Sequence, residues 1–236
     1  MEKVLKNLRD DLLKNANEKD RIAGERFFKE EVKLLGMKTA LVSSIGKLHL
    51  KAIKDQSKAN IFSLCEDLLS TGIMEESFVA CSWSYSVNKQ YEPTDFAVFE
   101  RWINKYVNNW ATCDTLCNHT VGTLIEIYPS LIEDLKKLAH SENRWAKRAS
   151  AVSLIVPAKK GKFLSDVFEI SDVLISDKDD MVQKGYGWML KVASQAHQKE
   201  VFDYVIKHKN KMPRTALRYA IEKMPADMKA EAMKKD

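Results

Sequence analysis

Little in this chain suits a β-protein, a membrane span or a cofactor enzyme. Eight Gly and five Pro in 236 residues are too few for the many tight turns of an all-β fold. No stretch approaches the roughly 18 apolar residues that a spanning helix needs. The opening MEKVLKNLRDDLLKNANEKD has no apolar segment flanked by a cleavage site, so no signal peptide is expected. Phosphate-binding loops of the Walker or Gly-x-Gly-x-x-Gly kind are missing, and Gly161-Lys162-Phe163 reads as a helix start. None of the five histidines (His49, His119, His140, His197, His208) has a context suggesting a Ser-His-Asp arrangement. Cys113, Cys117 and His119 lack a fourth ligand at the usual spacing, so no metal is expected there. Cys65, Cys81, Cys113 and Cys117 fall in mostly apolar helical patterns, which points to reduced core thiols and a cytoplasmic chain. The charge excess is small: 38 Lys plus Arg against 33 Asp plus Glu, net +5. That balance fits an anionic partner without requiring one, although basic residues become denser from Lys136 onward.

What is present is helical periodicity. Hydrophobic residues make up 45%, enough for one large core. They recur at three- and four-residue spacing, as in Val4, Leu8 and Leu12, or Phe96, Phe99, Ile103 and Tyr106. Punctuation is regular: Gly36 is expected to stop a helix and Thr39 to cap the next. Pro129, Pro213 and Pro225 suit first helical positions, and Pro157 with Gly161 marks a break. The run at 153–157 continues a helical stripe begun at Trp145. About a dozen helices with short links are expected, packed as antiparallel pairs in one domain spanning residues 1–236. No repeat of fixed period is visible, yet such pairs in succession form an all-α solenoid with a concave surface.

Three segments stand out. In residues 105–122, Trp110 and Asp114 are four apart on one predicted helix and so are neighbours on its surface. The apolar stripe there runs through Leu116, Thr120 and Ile127, with Asp114 off it. Structurally, Trp110 is then a partly buried aromatic and Asp114 a first-turn carboxylate favoured by the helix dipole; functionally, the pair forms a site. In residues 179–194, Val182, Tyr186, Met189 and Ala193 make the core stripe. Trp188 instead shares a face with Met181, Lys184 and Lys191, which suits contact with something flat and anionic. In residues 141–156, Trp145, Ala149, Val152 and Val156 face the core, while Arg144, Lys147 and Arg148 lie on the other side. Charges on a helix usually mark a solvated face. Together with Lys159, Lys160, Lys162, Lys209, Lys211, Arg214 and Arg218, they would also make a basic band for nucleic acid.

These segments resemble one family, the HEAT-like-repeat DNA alkylation repair proteins, alkylpurine DNA glycosylases of the AlkD type. The likeness covers most of the chain. It begins with RFFKEEVKLLGMKT (26–39) and continues through NNWATCDTLC, NRWAKRASAV and KGYGWMLK. It implies a HEAT-like fold with a concave basic DNA-binding surface. It also implies that Trp110 and Trp188 flank the damaged nucleotide, that Asp114 is the essential carboxylate and that Arg148 contacts phosphate. Arg144, Lys147, Lys184 and Lys191 complete the expected DNA-binding set. Two departures are visible. Lys191 stands where the family has arginine, losing a bidentate phosphate contact, and Phe27 and Phe28 stand where a tyrosine contact is expected.

The implied activity is hydrolysis of the N-glycosidic bond of 3-methyladenine and 7-methylguanine in double-stranded DNA, by a cofactor-free monomer. A purine alkylated on its ring nitrogen is cationic and leaves as a neutral base, so no general acid is needed. One ionised carboxylate suffices to stabilise the oxocarbenium-like sugar and orient water. Two other functions fit the same pattern: a non-catalytic binder of branched or distorted DNA, and a helical-repeat protein scaffold.

Overall fold

The structure, a computed structural model, describes residues 2–234 and contains no β-strand among them. Its contacts sort into two compact units, Met1–Leu116 and Cys117–Asp236. The first holds α1 (Glu2–Lys14), α2 (Glu18–Glu25), α3 (Thr39–Leu50), α4 (Lys58–Ser70), α5 (Met74–Ser86), α6 (Asp95–Tyr106) and α7 (Trp110–Thr115). Helices α4 and α5 are joined by a three-residue turn in which Gly72 takes φ 70°, a left-handed conformation that glycine adopts without steric cost. The Cys65 thiol on α4 donates to the Ala80 carbonyl on α5 at 3.3 Å. Those two residues are nearly equidistant from the turn, so the pair is antiparallel. Trp83, fully buried, donates its indole N–H to the Gly46 carbonyl of α3 at 2.9 Å. Phe62, Phe99 and Trp102 form an aromatic core with ring centroids 5.5–5.6 Å apart. At about 25 cal/mol per Å², each large aromatic buried here contributes roughly 4–6 kcal/mol of transfer free energy.

A π-helical turn at Leu116–Val121 follows α7. The second unit then runs through α8 (Gly122–Ile127), α9 (Ile132–Ala139), α10 (Arg144–Val152), α11 (Ile155–Lys159), α12 (Leu164–Leu174), α13 (Asp180–Ala193), α14 (Gln198–His208), α15 (Arg214–Ala220) and α16 (Ala226–Met233). Its centre is α13, which packs against α10, α11, α12, α14 and α15. Val182, Tyr186, Met189 and Ala193 are all buried there, as their spacing predicts. A methyl group on Gly187 would lie 2.8 Å from the Ala216 carbonyl oxygen and 2.8 Å from Tyr219 Cβ, so glycine is what lets α15 lie on α13.

Polar contacts between elements recur at a near-constant offset. In the first unit Lys58–Glu92, Arg101–Glu66 and Trp83–Gly46 are separated by 34, 35 and 37 residues. In the second, Lys136–Glu169, Arg148–Met181 and Lys191–Glu222 are separated by 33, 33 and 31. Within each unit these contacts join elements at a similar spacing, as in a helical repeat.

Several expectations need correction. Gly36 (φ 83°) lies within the non-helical stretch after α2 and does not end a helix. Thr39 is the first residue of α3, whose cap position is Lys38. Pro213 and Pro225 occupy the cap positions ahead of α15 and α16, one residue earlier than expected, while Pro129 opens a short 3₁₀ turn. Pro157 sits inside the short α11, and Gly161 follows that helix at φ 78°. Ile127 is 45% exposed and Val156 only half-buried, so neither belongs to its predicted core stripe.

Candidate functional site

The start of α7 is set by Asn109, a buried cap whose Oδ1 accepts the Thr112 N–H at 2.9 Å and whose amide donates to Thr112 Oγ1 at 3.2 Å. That cap makes Trp110 the first helical residue and places Asp114 one turn later on the same face. Both are half-buried. The Trp110 ring stacks on Phe28 with centroids 5.3 Å apart and planes 19° off parallel. Phe28, Leu34, Phe78 and Trp110 pack on a small apolar cluster of Val32, Met74 and Ala111. Beside them is a cavity of about 220 Å³, at whose edge Phe27 is 76% exposed. The loop forming one wall is pinned by the buried Glu75 carboxylate. Its oxygens accept N–H bonds from Leu35, Gly36 and Met37 at 3.0, 2.9 and 3.2 Å. A Cβ at Gly36 would lie 2.1 Å from the Asn17 carbonyl, so the VKLLGMKT segment is built around that glycine.

The cations lie in the other unit, on α10 and α13, and each exposed one faces a carboxylate. Arg144 reaches Asp179 at 2.8 Å and Asp180 at 3.8 Å. Lys147 reaches Asp177 at 2.9 Å, Lys184 reaches Asp180 at 3.3 Å and Lys191 reaches Glu222 at 3.0 Å. The Asp177 carboxylate raises the pKa of Lys147, its hydrogen bond being the main cause. Asp179 also caps α13, accepting the N–H groups of Met181 and Val182 at 2.8 and 3.3 Å. Trp188 is half-buried on the same helix.

Arg148 departs from the expected open face. It is 5% exposed, and its guanidinium donates to the Met181 carbonyl at 2.5 Å. Its aliphatic stem lies against Gly185, where an added Cβ would meet Arg148 Cγ at 3.3 Å. Buried in this way, it ties α10 to the first turn of α13. The physical reason is the close approach of these helices, which glycine at 185 allows and a long side chain then fills.

A family model described as "DNA alkylation repair enzyme" matches residues 8–224. The chain belongs to the DNA alkylation repair enzyme family. A solved structure titled "Predicted DNA alkylation repair enzyme from Enterococcus faecalis" superposes with a TM-score of 0.81 at 14% identity, covering 90% of this chain and 98% of that one. At that identity the likeness establishes the shared helical fold. No curated protein matches the chain.

For this member of the DNA alkylation repair family, the structure thus brings Trp110 and Asp114 together on α7. It also gathers Arg144, Lys147, Lys184, Trp188 and Lys191 on α10 and α13. Among the described residues no group of three or more His, Cys, Asp or Glu could hold a metal ion, and the four cysteines are buried and form no disulfide. No helix of the described residues is long and apolar enough to cross a membrane. Sequence reasoning missed the counter-ions. For Arg144, Lys147 and Lys184 the signal was the run Asp177-Lys178-Asp179-Asp180, an acidic cluster just ahead of a helix rich in cations, while Glu222, the partner of Lys191, had no such signal. It also missed the Phe28–Trp110 stack, which joins residues 82 positions apart in sequence and has no local signature.

Proposed function

We propose that this family member is a monofunctional DNA glycosylase that hydrolyses the N-glycosidic bond of 3-methyladenine and 7-methylguanine in duplex DNA. The observation that carries this reading is the placement of Trp110 and Asp114 one turn apart on α7, both half-buried. A carboxylate in such a place is accessible to a sugar and only partly screened by water, which strengthens its field. Asp114 would stabilise the oxocarbenium-like sugar and orient the attacking water, while the cationic purine leaves as a neutral base. The Trp110 ring, held by Phe28, would favour the cationic lesion through cation–π attraction of roughly 0.5–2 kcal/mol, with Trp188 as the second aromatic contact. Arg144, Lys147, Lys184 and Lys191 would grip phosphates. Arg148, by its burial, would act through the position of α10 and not as an open phosphate contact. The expected protein is a cofactor-free monomer forming one repeat array.

The test is release of free base from methylated duplex DNA by the purified chain. Release of 3-methyladenine or 7-methylguanine, abolished in Asp114→Asn, supports the assignment. Tight binding of the same duplex with no release by the wild type would instead mark a non-catalytic binder of distorted DNA.

A further inference from the structure

The side chains around Lys191 point to a use for Glu222 that the glycosylase reading does not contain. Lys191 is three residues after Trp188 on α13, yet its side chain is only 15% exposed. Its ammonium lies 3.0 Å from the Glu222 carboxylate and 5.4 Å from the centroid of the Tyr219 ring. Both partners belong to the end of α15 and the turn after it. The ammonium is therefore held sideways along the surface by a carboxylate and an aromatic face. Glu222 is itself half-exposed, at 49%, and the hydrogen bond from Lys191 holds its carboxyl below the usual range. Gly187 fixes this geometry, because only without a Cβ can α15 come close enough for Glu222 to reach.

A carboxylate and a phosphate offer an ammonium the same kind of partner, an anionic oxygen acceptor. We propose that Glu222 is a counter-ion that occupies Lys191 in the free protein and is displaced by a DNA phosphate on binding. This rests on the reading that the Trp188 face of α13 meets DNA. A part-exposed ion pair is weak enough to exchange, being worth a factor of roughly 1.4 to 5 in an equilibrium. The consequence is a lysine that contributes little to casual encounters with duplex, and contributes fully only where a phosphate is seated closely enough to take the carboxylate's place.

The experiment is a double-mutant cycle on duplex affinity at fixed low salt, using undamaged and methylated DNA of one sequence. The four proteins are wild type, Glu222→Gln, Lys191→Met and the double variant. Methionine keeps the apolar stem over Tyr219, and thermal melting of each variant confirms that it is folded. Glu222→Gln is expected to tighten binding. Lys191→Met is expected to cost more in the Glu222→Gln background than in the wild-type background, by about two- to five-fold, since the pair no longer has to be broken. Because phosphate contacts carry no base information, the gain should be equal on any duplex sequence. Equal losses on removing Lys191 in both backgrounds would overturn the exchange while leaving the DNA-facing surface standing. No loss in either background would overturn both, and would place the Trp188 face away from DNA.

Discussion

Trp110 and Trp188 share a sequence context, an aromatic residue near ionisable ones on a helix, but the structure gives them contrasting surroundings. Trp110 stacks on Phe28 and packs on an apolar cluster, with a small cavity beside it and Asp114 one turn along. Trp188 rides on a helix whose neighbouring cations are all occupied by carboxylates. The first environment leaves one carboxylate half-buried beside an aromatic ring, which suits stabilising a developing sugar cation. The second is a set of part-exposed ion pairs, whose cations suit a polyanion. Removing a group from the first should alter chemistry and spare affinity, and removing a cation from the second should do the reverse.

The largest effect expected from breaking that contrast is at Asp114. Asp114→Asn keeps the shape and removes the charge, so single-turnover release of 7-methylguanine should fall by roughly 10²-fold or more. Duplex affinity measured in parallel should hold or rise slightly. A variant that releases base at the wild-type rate would make Asp114 a structural carboxylate.

Next in size is Arg148. Truncation to alanine removes a buried charge-assisted hydrogen bond to Met181, and should cost about 2–3 kcal/mol of stability. For a chain of this length that is a fall in melting temperature of roughly 4–12 °C. Had Arg148 been an open phosphate ligand, melting would be unchanged and only affinity would drop. The two measurements together decide between the roles.

Much of this was legible in the sequence. Periodicity gave the helices and the α13 core stripe, and four-residue spacing placed Asp114 beside Trp110. Burial of Arg148 was not legible, because its i−4 and i−1 neighbours Arg144 and Lys147 look outward and a helical wheel cannot show how closely α13 approaches. Nothing in the spacing showed that Gly185 and Gly187 serve opposite packing neighbours, α10 and α15. The ion pairs of Arg144, Lys147 and Lys191 escaped for a similar reason: each joins residues about 30–36 positions apart, and no local pattern says which cation meets which carboxylate across that distance; only Lys184–Asp180, four apart on α13, is local.

Salt tests the second region as a whole. With up to four cations exchanging onto phosphates, log K against log salt should have a slope of about −3 to −4, each phosphate contributing roughly −0.9. Lys184→Ala should make it shallower by nearly one such step and weaken every duplex alike. A flat profile would show that the carboxylates keep their cations in the presence of DNA.

The smallest effect, and the sharpest test of the first region, is at Phe28. Its ring lies 5.3 Å from that of Trp110 and 19° from parallel, so it restricts how the indole can turn without itself being ionisable. An aromatic pair of this kind is worth roughly 0.5–1.5 kcal/mol beyond area burial, or about two- to twelve-fold in an equilibrium. Phe28→Leu retains most of the apolar volume and removes the stack, leaving Trp110 free to sample other rotamers. Base release should therefore slow by a few fold while the salt slope stays that of the wild type, because no phosphate contact has changed. The near-ultraviolet circular dichroism of the tryptophans should change with it, which a general loss of stability without local rearrangement would not produce. If release is unchanged and the spectrum is altered, Trp110 does not need a fixed orientation. The first region would then act through the Asp114 charge alone.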